Sequence, residues 1–446
     1  MRKILLFTVF CFFAIASRAQ WISQNAGFSN KTLGFYEFSI VDKNTVWAIC
    51  YDGVGGLFGP ARVLDFTRTT NGGATWTAGQ MGTDTSLAFS NICALSATEA
   101  WVSMHKFGNR TGGGIFHTTD GGVTWSQSGA GSVFDTASYP NFVYFKDPMR
   151  GIAGGDANGG YFEIYTTING GITWTRTPQA NIPAFVPNGD YGWFDGFAVV
   201  GDTVWFGNSR AQMYKSTDFG KTWSVHTMSS SPYTVYEIAF NDDGQHGLSH
   251  LRSGSSTFLF STSDGGVTWT QLPSHPKWKQ SRITSVPGTN IFVSTSTNSN
   301  STRGSSYTSD YGVTWIEIDN ATSKAACRFL DRKTGWSGSY FINNPGFPVS
   351  GGIYKWDSTR PLALAVPSPE IQIPRIYPNP AADKFRIELP VGNAGFDLGI
   401  YNAAGTLLKE VRITASRDVD IADLPAGVYT IRSGTSSEFN QKIIKQ

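Results

Sequence analysis

Three groups of residues in this sequence have the types and spacing that chemistry uses. The octapeptide TTDGGVTW, ending at Trp125, sets an acid beside two exposing glycines and flanking hydroxyls, the make-up of a general acid, a nucleophile or a calcium ligand. Asp156 and Asp195 lie in irregular segments of neighbouring repeats and are the best candidate pair for a glycosidase, which needs two carboxylates facing each other across a cleft. Tyr161, Tyr191, Trp193, Arg210 and Trp278 supply aromatic faces and a cation, the chemistry of a sugar- or peptide-binding face. Other templates fail. GKT at Gly220 lacks the preceding glycine of a phosphate loop, no G-x-S-x-G elbow occurs, and His246 and His250 lie four apart in a strand-like segment, where that spacing makes no helical metal pair. No metal site and no cofactor are expected.

The elements that position these residues are repeats. The octapeptide, here called the box, recurs with its tryptophan at Trp76, Trp125, Trp174, Trp223, Trp269 and Trp315, at spacings of 49, 49, 49, 46 and 46 residues. Its third position is Asn71, Asp120, Asn169, Asp218, Asp264 and Asp310. Asn keeps the oxygen that accepts backbone N–H groups and loses the charge, so the exchange argues against an acid, a nucleophile or a calcium ligand and for a turn. The box glycines supply positive φ, and the tryptophan is a plate to pack beneath the turn.

A second series of strand-like segments has seven members: TVWAICY, EAWVSMH, RGIAGGD, TVWFGNS, HGLSHLR, NIFVSTS and TGWSGSY. Six boxes and seven second strands are reconciled if one unit is split between the chain ends, because GGIYKWDST near Trp356 resembles the strand before the fourth box and WISQ at Trp21 resembles the strands that follow boxes. A ring that closes this way hides its sheet edges. The expected fold class is all-β: a seven-bladed β-propeller over residues 20–357, followed by a small C-terminal β-sandwich. Boxes then join strands three and four of each blade. The opposite face carries the long loops, and with them Phe58, Phe107, Phe194, Phe347, Asp190, Arg110, Arg252 and Arg303.

Residues 1–19 place Arg2 and Lys3 before an apolar run and a small-residue site at Ala19, which reads as a signal peptide that leaves no membrane-inserted segment. Cys50, Cys93 and Cys327 are too few for a disulfide framework and are expected as small buried residues. A net charge of +2 over 446 residues, without basic blocks, gives no footprint for nucleic acid or an anionic membrane. Residues 358–374 read as a proline-rich linker, and 375–446 as short alternating strands.

The box resembles the Asp-box (BNR) repeat shared by sialidases, sortilin-type receptors, xyloglucan hydrolases and photosystem II assembly factor propellers. The second-strand contexts FKDPMRGIAGG and FLDRKTGWSG are most similar to the last of these. The resemblance implies the propeller and says little about function. The sialidase Arg-Ile-Pro motif is absent, and the first arginine after the signal is Arg62. YPNP at Tyr377, Pro378, Asn379 and Pro380, then IYNAAGTLL, DLPAGVYTIR with Gly427 and Tyr429, and the terminal KIIKQ resemble the type A sorting domain of the type IX secretion system of Bacteroidetes. That resemblance implies the type IX machinery as a partner and a destination outside the outer membrane. The functional expectation is a non-enzymatic module binding an extracellular glycan or protein. The alternatives are an extracellular glycoside hydrolase of the sialidase or xyloglucanase kind and an assembly factor for exported proteins.

Overall fold

The computed structural model describes residues 20–28, 33–52, 63–84, 86–106, 113–134, 139–184, 190–297, 303–320, 322–339, 352–362, 375–388, 396–433 and 440–446. The chain divides into two compact units, Met1–Leu364 and Ala365–Gln446. Apart from one short 3-10 turn at Gln179–Asn181, the regular structure of the described residues is β.

The first unit holds seven four-stranded antiparallel sheets, here blades one to seven. Their first strands are Leu33–Ile40, Leu87–Ala94, Pro140–Phe145, Gly192–Val200, Thr234–Phe240, Arg282–Ser285 and Ala326–Asp331. Each packs on the next in order, and the last returns to the first, which makes the ring. The seven second strands expected from the sequence all occupy the second place in their sheets. Blade seven takes its outer strand from the other end of the chain: Trp21 pairs with Trp356 and Gln24 with Ile353. Trp21 sits edge-on to Trp356 at 5.0 Å, and its Nε1 donates to Ser305 Oγ at 3.0 Å, so the closure is buried as well as paired.

Blades adhere through second-strand tryptophans. Trp47, Trp101, Trp205 and Trp336 are fully buried, and Trp101 and Trp205 stack on Phe145 and Phe240 of the following blade at 3.8 and 3.9 Å. Cys50, Cys93 and Cys327 are free and buried among such side chains, as their sparse use implied. The expected linker departs from the reading at one point: residues 358–362 stay on the first unit, because Leu362 is buried beside Trp356 and its N–H donates to Arg332 O at 3.1 Å. Residues 363–374 lie outside the described ones.

The second unit is a sandwich of a three-stranded sheet (Arg375–Tyr377, Lys384–Glu388, Arg417–Asp420) and a four-stranded one (Leu407–Ile413, Phe396–Tyr401, Gly427–Ser433, Asn440–Lys445). Alternating inward residues, Phe385 and Ile387 from one sheet and Leu398, Ile400, Ile431 and Ile443 from the other, form its core.

Candidate functional site

The boxes are turns between third and fourth strands, and their polar atoms are spent locally. In the second box, Thr118 Oγ1 donates to Asp120 Oδ1 at 2.9 Å and accepts from Gly122 N at 2.9 Å, while Oδ1 also accepts from Thr124 N at 2.9 Å. The Asn boxes repeat this geometry with one proton reversed. Where Thr268 Oγ1 donates to Asp264 Oδ2 at 2.6 Å, Asn71 Nδ2 instead donates to Thr75 Oγ1 at 2.8 Å. The bond survives either way because a hydroxyl can give or take. Hydrogen bonds from Thr124 hold the Asp120 carboxyl down at about 2; at Asp264 burial pushes upward and is outweighed by bonds from Thr268, leaving it also at about 2. The second box glycine closes against neighbouring side chains, with a Cβ at Gly122 striking the Phe66 ring, whereas the first is replaced by Phe219 and Tyr311 at φ of 57° and 58°. In three boxes that second glycine's carbonyl accepts the tryptophan indole N–H at 3.1 Å, a bond the sequence did not announce. Box N–H groups bond to the first turn of the same blade, Gly121 to Thr98 O and Gly265 to Gln245 O. Both sets of turns therefore share one face, the box face. The other is the loop face.

On the loop face the structure brings together only some of the candidates. The first strand of blade four leaves its ladder between Gly192 and Phe197, and that of blade five is bulged between Val235 and Glu237. Bulges re-aim side chains. Here they carry Trp193 and Tyr236, whose rings lie 4.3 Å apart at 37°. Arg252 covers Tyr236 at 4.5 Å, its Nε donating to His250 Nε2 at 3.4 Å and its Nη2 to Gln280 O at 3.1 Å. His250 is fully buried, and burial, with Arg252 and Arg282 nearby, drives its pKa well down, so it is a neutral acceptor. Tyr191 is exposed just before the first strand of blade four, and Arg210 is presented by the turn after Asn208.

The remaining candidates fall elsewhere. Trp278 is buried against His250 at 5.6 Å in an interblade cluster, so it belongs to the core and offers no ring to a ligand. Tyr161 lies on blade three with Arg176 over its ring at 3.9 Å. Asp156 Oδ1 accepts from Asn141 Nδ2 at 2.9 Å and Gly192 N at 3.0 Å, a strut between blades three and four. Asp190 is buried, accepts from Asn208 and Ser209 at 2.8 Å, and has its pKa raised by burial against those bonds and Arg210. Phe58, Phe107, Arg110 and Phe347, and the side chains of Phe194 and Asp195, lie outside the described residues. Among the described residues no group of three His, Cys, Asp or Glu side chains could hold a metal.

Sequence reading missed Tyr236, because a bulge depends on the partner strand; Glu237, a charge inside an apolar first strand, was the available signal. It also missed a charged cluster on the ring axis. Arg328 Nη2 donates to Glu37 Oε1 at 3.2 Å while its Nη1 lies 3.9 Å from Glu237, which accepts from Ile283 N at 3.0 Å and lies 3.9 Å from Arg282. Buried carboxylates of blades one and five are thus paired across the ring with partly buried guanidiniums of blades six and seven. Beside them a cavity of about 300 Å³ is lined by Ile40, Ile92, Val143, Val199, Thr284 and Arg328 among others.

In the second unit the YPNP motif clasps the last strand. Asn379 Nδ2 donates to Lys442 O at 2.8 Å while its Oδ1 accepts from Ile444 N at 2.9 Å, so one side chain mimics a strand neighbour. Tyr377 pairs with Arg386, and the bonds preceding Pro378 and Pro380 are cis. Tyr429 OH donates to Pro425 O at 2.6 Å, and Gly427 pairs with Lys445.

Comparison with known proteins fits both units. The family model described as a secretion system C-terminal sorting domain matches residues 375–446. No curated protein matches the chain. Among solved structures, YCF48 from Cyanidioschyzon merolae is similar at 17% identity and a TM-score of 0.53, over 77% of this chain and 100% of that one. The GH74 enzyme of Niastella koreensis aligns at 15% identity and a TM-score of 0.40, over 91% of this chain and 59% of that one. The extracellular domain of the putative one component system BT4673 from B. thetaiotaomicron aligns at 11% and 0.48, over 96% and 59%. At these identities the likeness to YCF48 speaks for fold alone, and the two lower scores carry no argument. The chain is a β-propeller joined to a type IX secretion C-terminal sorting domain, which directs export to the cell surface or beyond.

Proposed function

We propose that this is a non-enzymatic recognition protein whose propeller binds a glycan or a protein outside the cell. The observation that carries this is the joint placement of Trp193, Tyr236 and Arg252 on the loop face of blades four and five. Half-buried Trp193, backed by Tyr236, can stack on a ligand, and the guanidinium held beyond Tyr236 can help orient it. The nearby carboxylates support binding over hydrolysis, since Asp156 is engaged as a strut and Asp190 is buried with both oxygens accepting. The Asn/Asp exchange in the boxes supports kinship with Asp-box propellers, and the YPNP clasp supports a type A sorting domain of the Bacteroidetes kind.

Screening the full chain on glycan and exported-protein arrays should give saturable binding that Trp193→Ala abolishes. Polysaccharide hydrolysis that is lost in Asp156→Asn would replace this reading with the hydrolase one. Deleting residues 375–446 should strand the propeller in the periplasm, and its normal export would remove the sorting role.

A further inference from the structure

We propose that the box face of blade three is a self-association surface, on which a second copy of this chain docks through Met149, Ile168 and Ile172. This is independent of the loop-face binding proposed above.

The repeats provide their own controls. The second residue of the box carries a hydroxyl in five copies, at Thr70, Thr119, Thr217, Ser263 and Ser309, and in blade three it is Ile168. The first turn of each blade, whose carbonyl accepts the box N–H, offers Asn44, Thr98, Asp202 and Gln245 at the bonding position in blades one, two, four and five, and Met149 in blade three. Valine is common at the sixth place of the box, so Ile172 stands out only beside the other two. The same turn bonds form over Thr, Asn and Gln, and the turn itself therefore needs none of the three apolar side chains.

Ile168, Ile172 and Met149 are 79%, 76% and 53% exposed, and together they show water on the order of 400 Å² of apolar surface, the size at which a patch marks a contact. Their backbone is fixed in advance. Met149 N donates to Asp147 Oδ1 at 3.0 Å, its carbonyl accepts from Gly170 N at 2.9 Å, and Asn169 Oδ1 accepts from Thr173 N at 3.1 Å. The two isoleucines, branched at Cβ, have few rotamers to lose on contact.

Charge selects the occupant. The box here has Asn169 where the flanking boxes have Asp120 and Asp218, so the turn is neutral. The cations of its first turn are already paired, Arg150 with Asp147 at 2.6 Å and Lys146 with Asp202 of blade four. The flanking boxes add both signs, Asp120 on one side and Asp218 with Lys221 on the other. An anionic membrane would call for spare cations round the apolar centre, and a charged peptide for a field of opposite sign. A neutral apolar centre inside a rim of mixed sign is compatible with its own image, as a two-fold contact demands. About 400 Å² from each copy falls short of the roughly 1,200 Å² of stable complexes, so the dimer is weak and reversible.

Sedimentation velocity of the full chain, up to about 1 mM, should show a monomer to dimer equilibrium with a Kd of the order of 100 µM. Ile168→Thr with Ile172→Lys, residues the chain itself uses at these places in other blades, should raise that Kd at least about tenfold and leave the urea midpoint unmoved. Cross-linking reads the geometry. In a Cys11→Ser background, where Cys50, Cys93 and Cys327 are buried, a short bismaleimide should join Ile172→Cys molecules at least about tenfold faster than Val313→Cys molecules, whose site is the same box place in blade six and is 65% exposed. A monomer at every concentration, a dimer that the double variant leaves intact, or equal cross-linking at the two sites overturns the inference. So does flotation with vesicles of anionic phospholipid that the double variant abolishes, since lipid then covers the patch. Should the double variant fail to fold, the two cysteine variants decide. None of these outcomes bears on the loop-face reading.

Discussion

The two faces of the ring use the same residue type in opposite ways. On the box face, aspartates at the tips of turns accept hydrogen bonds from the residues beside them, which favours their charge; Asp120 and Asp264 are held at about 2. On the loop face, Asp190 is drawn into the fold, and burial raises its pKa although two donors and Arg210 oppose it. A carboxylate is a scaffold part where its bonds are local and exchangeable for an amide. It becomes a candidate for chemistry only where the surroundings, and not the turn, set its properties. By that measure the six boxes are framework, and the proposed recognition is sought on the loop face.

The sharpest way to separate the faces is to damage the framework and ask whether the loop face notices. Trp205 is fully buried, stacks on Phe240 and donates to Gly265 O of the next box at 2.9 Å. Trp205→Ala should cost about 3–5 kcal/mol of stability, measured by urea unfolding. If folded protein is recovered, its affinity for ligand should be unchanged. Next in size is the box itself. Thr262 is buried, donates to Asp264 and accepts from Gly266 N at 3.0 Å, so Thr262→Val strands a buried N–H and should cost about 1–3 kcal/mol. A cost near zero would mean that water replaces the hydroxyl and that the box is less a lock than its geometry suggests. On the loop face the pattern should invert: Trp193→Ala, at a bulge outside the ladder, should shift stability by less than about 1 kcal/mol while abolishing binding.

The legible and illegible parts of the molecule divide along the same line. Box turns, ring closure and sorting motifs depend on neighbours within a few residues or on resemblance between segments, and these can be read from a string. The split blade followed from counting six boxes against seven second strands, with WISQ and GGIYKWDST at the chain ends resembling the two halves of the missing unit. The platform could not be read. Trp193 was a candidate for its composition, but its partner Tyr236 is placed by a one-residue mismatch with the second strand of another blade, which only three-dimensional register reveals. Trp278 was misplaced for a related reason. SHPKWKQSR reads as exposed because charges surround the ring, yet Lys279 is itself buried, donating to Arg303 O at 2.9 Å and pairing with Glu317 at 3.3 Å. Leu362 was assigned to a linker because proline signals an exit from regular structure, not from packing.

The smallest effect is the most discriminating, because it gives the two faces opposite signs. A carboxyl with a pKa of about 2 in the folded chain and 3.8 as its ordinary value binds more proton when unfolded, so between those values stability rises with pH, and this contribution is lost as pH falls toward 2. Asp190 behaves in reverse. With its folded pKa raised above 3.8, the folded state holds the proton more tightly, and stability falls as pH climbs from 3.8 through that raised value. Urea midpoints at a series of pH values from 2 to 6 should therefore respond to two variants in different windows. Asp120→Asn with Asp264→Asn, substitutions the chain already makes at Asn71 and Asn169, should flatten the slope below 3.8 and leave the midpoint near neutral pH almost unmoved. Asp190→Asn should flatten the slope above 3.8 and leave the lower limb alone. Should Asp190→Asn act in the lower window instead, its bonds to Asn208 and Ser209 outweigh its burial, and the contrast between the faces would lose its electrostatic basis.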